Sequence, residues 1–115
     1  MSVTLYGIPN CDTVKKTRTW LADNAIEYGF HDYKKAGIDA AHLERWAAAV
    51  GWEKLLNRAG TTFRKLDEGD KADIDSAKAV RLMIAHPSTI KRPVVEHPGG
   101  VLVGFKPEEW ARALL

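Results

Sequence analysis

An α/β fold is predicted by three features of this 115-residue chain. A short β-rich run, a helical stretch and an alternating run follow one another at the spacing of a βαβ unit, whose crossover should be right-handed. A helix-patterned middle comes next. The last third then returns to two β-rich runs joined by turn residues, followed by a helix.

The elements are justified in order. Val3 to Tyr6 is β-rich and stops at Gly7, which reads as a buried strand of about 5 residues. From Cys11 to about Asn24 the pattern is helical. Val14 and Leu21, seven residues apart, face inward there, and Lys15, Lys16, Arg18 and Asp23 are left to solvent. Ile26, Tyr28 and Phe30 alternate with Glu27, Gly29 and His31, as in a strand with one buried face.

Asp39 is a fitting N-cap for a helix carrying Leu43, Trp46, Ala47 and Val50, which Gly51 terminates. Trp52 to Leu56 adds another turn or two before AGTT breaks the pattern. Asp75 caps a further helix with Ala79, Val80, Leu82, Met83 and Ile84 on its apolar side, and His86-Pro87 ends it. Residues 37–88 therefore read as a helical insertion without linker composition. PVVE, HPGG and VLVGF form a hairpin. Pro107 then suits the first turn of a last helix, with Glu108 and Glu109 at its positive end. The order β-α-β, helical insertion, β-β-α is the connectivity of a thioredoxin-like fold with a mixed sheet, and residues 1–115 are expected to form one domain.

Composition narrows the function. Hydrophobic residues at 45% and charged residues at 28% are ordinary globular usage. A net charge of +2 from 17 basic and 15 acidic residues gives no dominant basic face, so no direct nucleic-acid binding is expected. No apolar run approaches the roughly 20 residues that span a bilayer. The start, Met1 into VTLY, lacks a charged n-region and cleavage site. A single cysteine cannot form an internal disulfide. The expectation is a monomer in the cytoplasm, away from membranes.

That cysteine, Cys11, stands in LYGIPNCDTVKK where a strand gives way to a helix. A free cysteine is often simply a small buried hydrophobe. Its neighbours Pro9, Asn10, Asp12 and Thr13 are not core residues, however. Unpaired N–H groups and the dipole at a helix start stabilise negative charge, which can bring a thiol from about 8.5 to between roughly 3.5 and 7.5. Cys11 is therefore read as a nucleophile. Arg92-Pro93 is the second signal: a proline opening a strand beside this cysteine is expected in the cis form, with Arg92 lending positive charge to the thiolate. Lys15, Lys16, Arg58, Arg64, Lys65 and Lys106 are ordinary surface cations, some of them available to the anionic tripeptide glutathione. His31, His42, His86 and His97 lack metal-ligand spacing, and no metal is assigned. The tryptophans Trp20, Trp46, Trp52 and Trp110 are read as packing residues.

LYGIPNC, LLNRAGTTFRKL, HPSTIKRPVV and GFKPEEW together resemble the arsenate reductase (ArsC) and Spx family over essentially the whole chain, with PNCDTVKK most like its YffB-like branch. The resemblance implies a thioredoxin-like fold, a catalytic cysteine at Cys11 and a cis proline at Pro93. Glutaredoxin-dependent arsenate reductases surround their oxyanion with three arginines. Here Arg92 matches one, Asn57 stands at the second position with Arg58 shifted by one, and Lys106 stands at the third. Lysine lacks the planar bidentate fork of arginine. The CxxC switch of Spx-type regulators is replaced by Cys11-Asp12-Thr13-Val14.

The function expected is a glutathione-dependent thiol–disulfide reductase with one nucleophilic cysteine, glutathione as co-substrate and no tightly bound cofactor. Cys11 and Arg92 would be catalytic. Pro93, Asn57, Arg58, Lys106, Asn10, Asp12 and Thr13 would bind substrate, and a glutaredoxin or a disulfide-containing protein would be the further partner. The alternatives are a glutaredoxin-dependent arsenate reductase and a Spx-like, non-enzymatic RNA polymerase-binding regulator.

Overall fold

The computed structural model describes residues 2–115. Its elements run β1 (Thr4–Gly7), α1 (Asp12–Asp23), β2 (Gly29–Asp32), α2 (Tyr33–Ala36), α3 (Ala40–Val50), α4 (Trp52–Leu55), α5 (Thr61–Arg64), α6 (Glu68–Lys71), α7 (Ser76–Ala85), a 3-10 turn (Pro87–Thr89), β3 (Val94–His97), β4 (Gly100–Val103) and α8 (Pro107–Leu114). Contacts divide the chain into two compact units. One takes in the chain up to Ala36 and again from Arg92, and the other is Gly37–Lys91.

The first unit is a mixed four-stranded sheet in the order β2-β1-β3-β4. β1 and β2 are parallel, with Gly7 opposite Asp32, while β3 runs antiparallel to both β1 and β4. Alternation along the strands sends Leu5 and Val95 to one face, where they meet Leu21 of α1 and Trp110 of α8 in a fully buried cluster. Trp110 also donates its indole N–H to the Gly104 carbonyl at 2.9 Å, which ties α8 to the end of β4. On the other face Tyr6 donates its hydroxyl to Glu96 Oε1 at 2.6 Å, and the Tyr6 and His31 rings lie 5.2 Å apart.

The second unit is helical. Asp39 and Asp75 cap α3 and α7 as predicted, their carboxylates accepting from the backbone N–H of His42 and Lys78. α3 packs on α4 and α7, burying Leu43, Trp46, Leu55, Ala79 and Met83. An antiparallel bridge pairs Leu56 with Ile90, and Lys91 donates its backbone N–H to the Leu55 carbonyl at 2.8 Å. This bridge holds residues 89–91 in the helical unit.

Three expectations are corrected. The second strand starts at Gly29 rather than Ile26, because the turn after α1 passes through Ala25 at φ 56° and Ile26 donates back to the Leu21 carbonyl. Only at Gly29, whose N–H reaches the Val3 carbonyl, does the chain join the sheet. The break at AGTT is shorter than expected, since Ala59 lies in a turn, Gly60 in a bend, and Thr61 already opens α5. Ile84 is 42% exposed, so the apolar side of α7 is Ala79, Val80, Leu82 and Met83.

Candidate active site

Sheet direction gathers the chemistry of the first unit at one end. β1 and β2 are parallel, so both finish at that end, where Cys11 follows β1 and Tyr33 follows β2. β3 is antiparallel to β1 and pairs Val94 with Tyr6, so it starts there, immediately after Arg92-Pro93. β4 finishes there too, with Val103 opposite Val94, and Lys106 stands three residues further on. Four segments thus share one end of the sheet.

Cys11 is the N-cap of α1, in extended conformation (φ −137°, ψ 125°), with its carbonyl accepting the first helical hydrogen bond from Lys15 at 2.9 Å. Its thiol is half-buried and makes no capping hydrogen bond. The helix starts here because Val14, Thr17 and Leu21 form its buried stripe. Thr17 satisfies its buried hydroxyl by donating to the Thr13 carbonyl at 2.7 Å. Gly7 permits the close approach, since a Cβ there would stand 2.9 Å from Val14 Cγ2. Asn10, Asp12 and Thr13 flank the thiol and are exposed.

The Arg92-Pro93 bond is cis. Pro93 is buried, and its carbonyl accepts from the Gly104 N–H at 2.8 Å. Arg92 is half-buried and donates a side-chain hydrogen bond to Tyr33. Tyr33 is fully buried. Burial above all pushes its hydroxyl up from the ordinary tyrosine range. The charge and hydrogen bond of Arg92 oppose that push, and negative charge at Cys11 and Asp32 adds to it. The Tyr33 hydroxyl therefore stays protonated, within electrostatic reach of the thiol, the guanidinium and the Asp32 carboxylate.

Tyr33 was not among the residues singled out from sequence. The available signal was HDYKK, in which an aspartate ends a strand and caps a helical turn. Asp32 Oδ1 accepts from the N–H groups of Lys34 and Lys35 at 3.1 and 3.2 Å. In a βαβ unit, the residue just beyond the second strand stands beside the loop that follows the first.

Lys106 is exposed at the N-cap of α8. Asn57 and Arg58 belong to the helical unit. Asn57 donates its backbone N–H to the Thr89 carbonyl at 2.7 Å and accepts at its side-chain oxygen from Ala59. The exposed Arg58 guanidinium lies 5.5 Å from the centre of the Trp52 ring, a cation–π arrangement. Among the described residues, no group of three or more His, Cys, Asp or Glu could hold a metal, and no helix is long and apolar enough to cross a membrane. A cleft of about 600 Å³ opens at the opposite end of the sheet, lined in part by Val3, Ile26, His97 and Leu114. Its lining holds no cysteine.

Comparison with known proteins places this geometry. The profile of the ArsC family matches residues 6–113. A solved structure named YffB (PA3664) protein is 61% identical, covers 99% of this chain and 100% of its own, and superposes with a TM-score of 0.97. A Haemophilus influenzae protein, named only as uncharacterized, is 42% identical over 96% of this chain and 97% of its own. An arsenate reductase of Rhizobium meliloti is 33% identical over 87% of this chain and 72% of its own. The mixed sheet with its flanking helices is thus the thioredoxin-like fold of ArsC-like proteins.

Proposed function

Because the chain belongs to the ArsC family, we propose that it is a glutathione-dependent thiol–disulfide reductase working through Cys11 alone. One observation carries this reading: the single cysteine is half-exposed at the start of a twelve-residue helix, at the sheet end where Arg92 precedes the cis proline. The Cys11 thiolate attacks the glutathionyl sulfur of a mixed disulfide. A Cys11–glutathione disulfide forms, and the substrate sulfur leaves as a thiolate that takes up a proton. A second glutathione thiolate then attacks the glutathionyl sulfur, forming oxidised glutathione and restoring Cys11. No second cysteine exists in the chain to resolve the intermediate, so glutathione must do so.

Glutathione is the co-substrate, and the cycle uses no tightly bound cofactor. The backbone beside Pro93 would hold the peptide part of glutathione in strand fashion. Lys106, Asn10, Asp12 and Thr13 would bind substrate around the thiol. A glutaredoxin or a disulfide-containing protein is the further partner, and a monomer in the reducing cytoplasm suits the chemistry. Incubation with oxidised glutathione followed by mass spectrometry tests the reading. One glutathionyl adduct on Cys11 that glutathione removes is expected, and a thiol that stays unmodified at equilibrium would refute it.

The 33% identity to an arsenate reductase favours a second reading. In it the same thiolate attacks the arsenic of arsenate, a protonated oxygen leaves as water, glutathione and glutaredoxin thiols supply the two electrons that reduce the arsenic, and Arg92 and Lys106 neutralise the oxyanion. Arsenate turnover with glutathione and glutaredoxin, lost in Cys11→Ser, would establish it.

A further inference from the structure

Tyr33 and Arg92 form a pair that the thiol chemistry alone does not require. Tyr33 follows the last residue of β2 directly and is fully buried, so its hydroxyl needs a partner. Arg92, half-buried at the start of the segment leading into β3, donates a hydrogen bond to that hydroxyl. Strand pairing in the order β2-β1-β3 sets Gly7 opposite Asp32 and Tyr6 opposite Val94, so Tyr33, the loop that carries Cys11 and Arg92 share one end of the sheet.

We propose that Tyr33 is a positioning residue: its buried hydroxyl holds the Arg92 guanidinium toward the Cys11 thiolate and the anionic partner that the thiolate attacks. The proposal rests on reading Cys11 as the nucleophile.

The residue type matters. A carboxylate at position 33 would bind the guanidinium more tightly but would cancel its charge. A phenylalanine would take that acceptor away from the guanidinium. A phenol that stays neutral gives the guanidinium an acceptor without adding a negative charge of its own. Burial and the nearby negative charges keep Tyr33 in that neutral form. The ring is buried and the Asp32 carboxylate caps the turn that follows it, so the arrangement is ready before any substrate binds.

Alkylation of Cys11 in the whole protein by iodoacetate, an anion, and by iodoacetamide, its neutral counterpart, reads the charge at the thiol. Neither reagent needs glutathione, so a failure here is distinct from a failure of the reductase reading. Tyr33→Phe should lower the iodoacetate-to-iodoacetamide rate ratio about fivefold, equivalent to about 1 kcal/mol and the scale of one charge pair near a solvated surface. Arg92→Ala should lower it at least as far. Adding Tyr33→Phe to Arg92→Ala should then change the ratio no further, because the hydroxyl acts through the guanidinium. An unchanged ratio in Tyr33→Phe, or a second independent fall in the double variant, would overturn the proposal. If Tyr33→Phe loses its cooperative melt, nitrogen relaxation at the Arg92 Nε–H of the wild-type protein decides. A side chain as ordered as the backbone is expected, and a freely averaging one overturns the assignment.

Discussion

Gly7 and Val14 stand so close that a single added carbon would force them apart: a Cβ on Gly7 would lie 2.9 Å from Val14 Cγ2. Val14 is fully buried and β-branched, so it has little rotamer freedom with which to yield. The helix that carries Cys11 would have to shift instead. Gly7→Ala should cost about 1–3 kcal/mol in denaturant unfolding, the usual range for overpacking a core. It should also change the alkylation rate of Cys11, and a variant unchanged in both would show that the contact relaxes at no cost.

A second prediction concerns what holds the far side of the sheet. Trp110 is fully buried, meets Trp20 and Phe105 edge-on at 6.2 and 5.3 Å, and donates to the Gly104 carbonyl. Trp110→Ala should destabilise by about 3–5 kcal/mol. Trp110→Phe keeps most of the ring burial and loses the donor, so it should cost less. Equal losses in the two variants, read from urea midpoints, would argue against a role for packing at this site.

Much of this architecture could be read locally. Asp39, Asp75 and Pro107 mark their helix starts because capping and a preset φ act over a few residues, and all three stand where such chemistry places them. Cys11 was legible as a helix start from its neighbours, a strand run that stops at Gly7 and a helical pattern that follows. What was not legible depends on long-range pairing. Gly29, rather than Ile26, begins β2 because only there does the backbone reach Val3. Ile84 looks apolar on a helix diagram, yet it lies outside the stripe α7 buries. Tyr33 gains its place only when β1 and β2 align in parallel, which brings the residue after one strand beside the loop after the other.

Asp39 gives a pH dependence on the acid side. Its carboxylate accepts from the His42 backbone N–H at 2.9 Å and meets the His42 ring Nδ1 at 2.6 Å. These bonds, the backbone one first, hold it below the usual carboxylate value. A carboxyl depressed in the folded state stabilises the fold fully above its unfolded value, near 3.9, and loses that contribution as pH falls through the folded value. Asp39→Asn keeps a capping oxygen and removes the titration. Its midpoint should therefore fall less steeply than the wild type's below about pH 4. Parallel acid limbs would show that the carboxylate gives no folded-state advantage.

Tyr33 predicts the opposite limb. A hydroxyl raised in the folded state favours folding while it is protonated. In the unfolded chain it ionises near pH 10, so stability should decline as pH rises above about 10. The chain has three tyrosines. Tyrosinate absorbance should therefore show one group that ionises only as the protein unfolds in alkali, and Tyr33→Phe should remove that component. A late component that persists in Tyr33→Phe would assign it to another ring.

The last prediction concerns substrate choice, and it turns on Lys106. Thiol–disulfide exchange needs a reactive thiolate and a docked partner. Arsenate reduction needs, in addition, donors aimed at a dense oxyanion while its charge reorganises, and loss of one aligned donor of this kind costs about a hundredfold to a thousandfold in rate. Lys106, exposed at the start of α8 and three residues beyond Val103, keeps a positive charge at the right end of the sheet. It presents a point charge and not a planar fork. Lys106→Arg should therefore raise arsenate turnover relative to disulfide turnover, by about tenfold where one good donor pair is regained. Glutathionyl exchange at Cys11, which does not depend on that fork, should change little. Arsenate turnover already efficient in the wild type and unaffected by Lys106→Arg would show that the fork is dispensable and that the disulfide assignment is wrong.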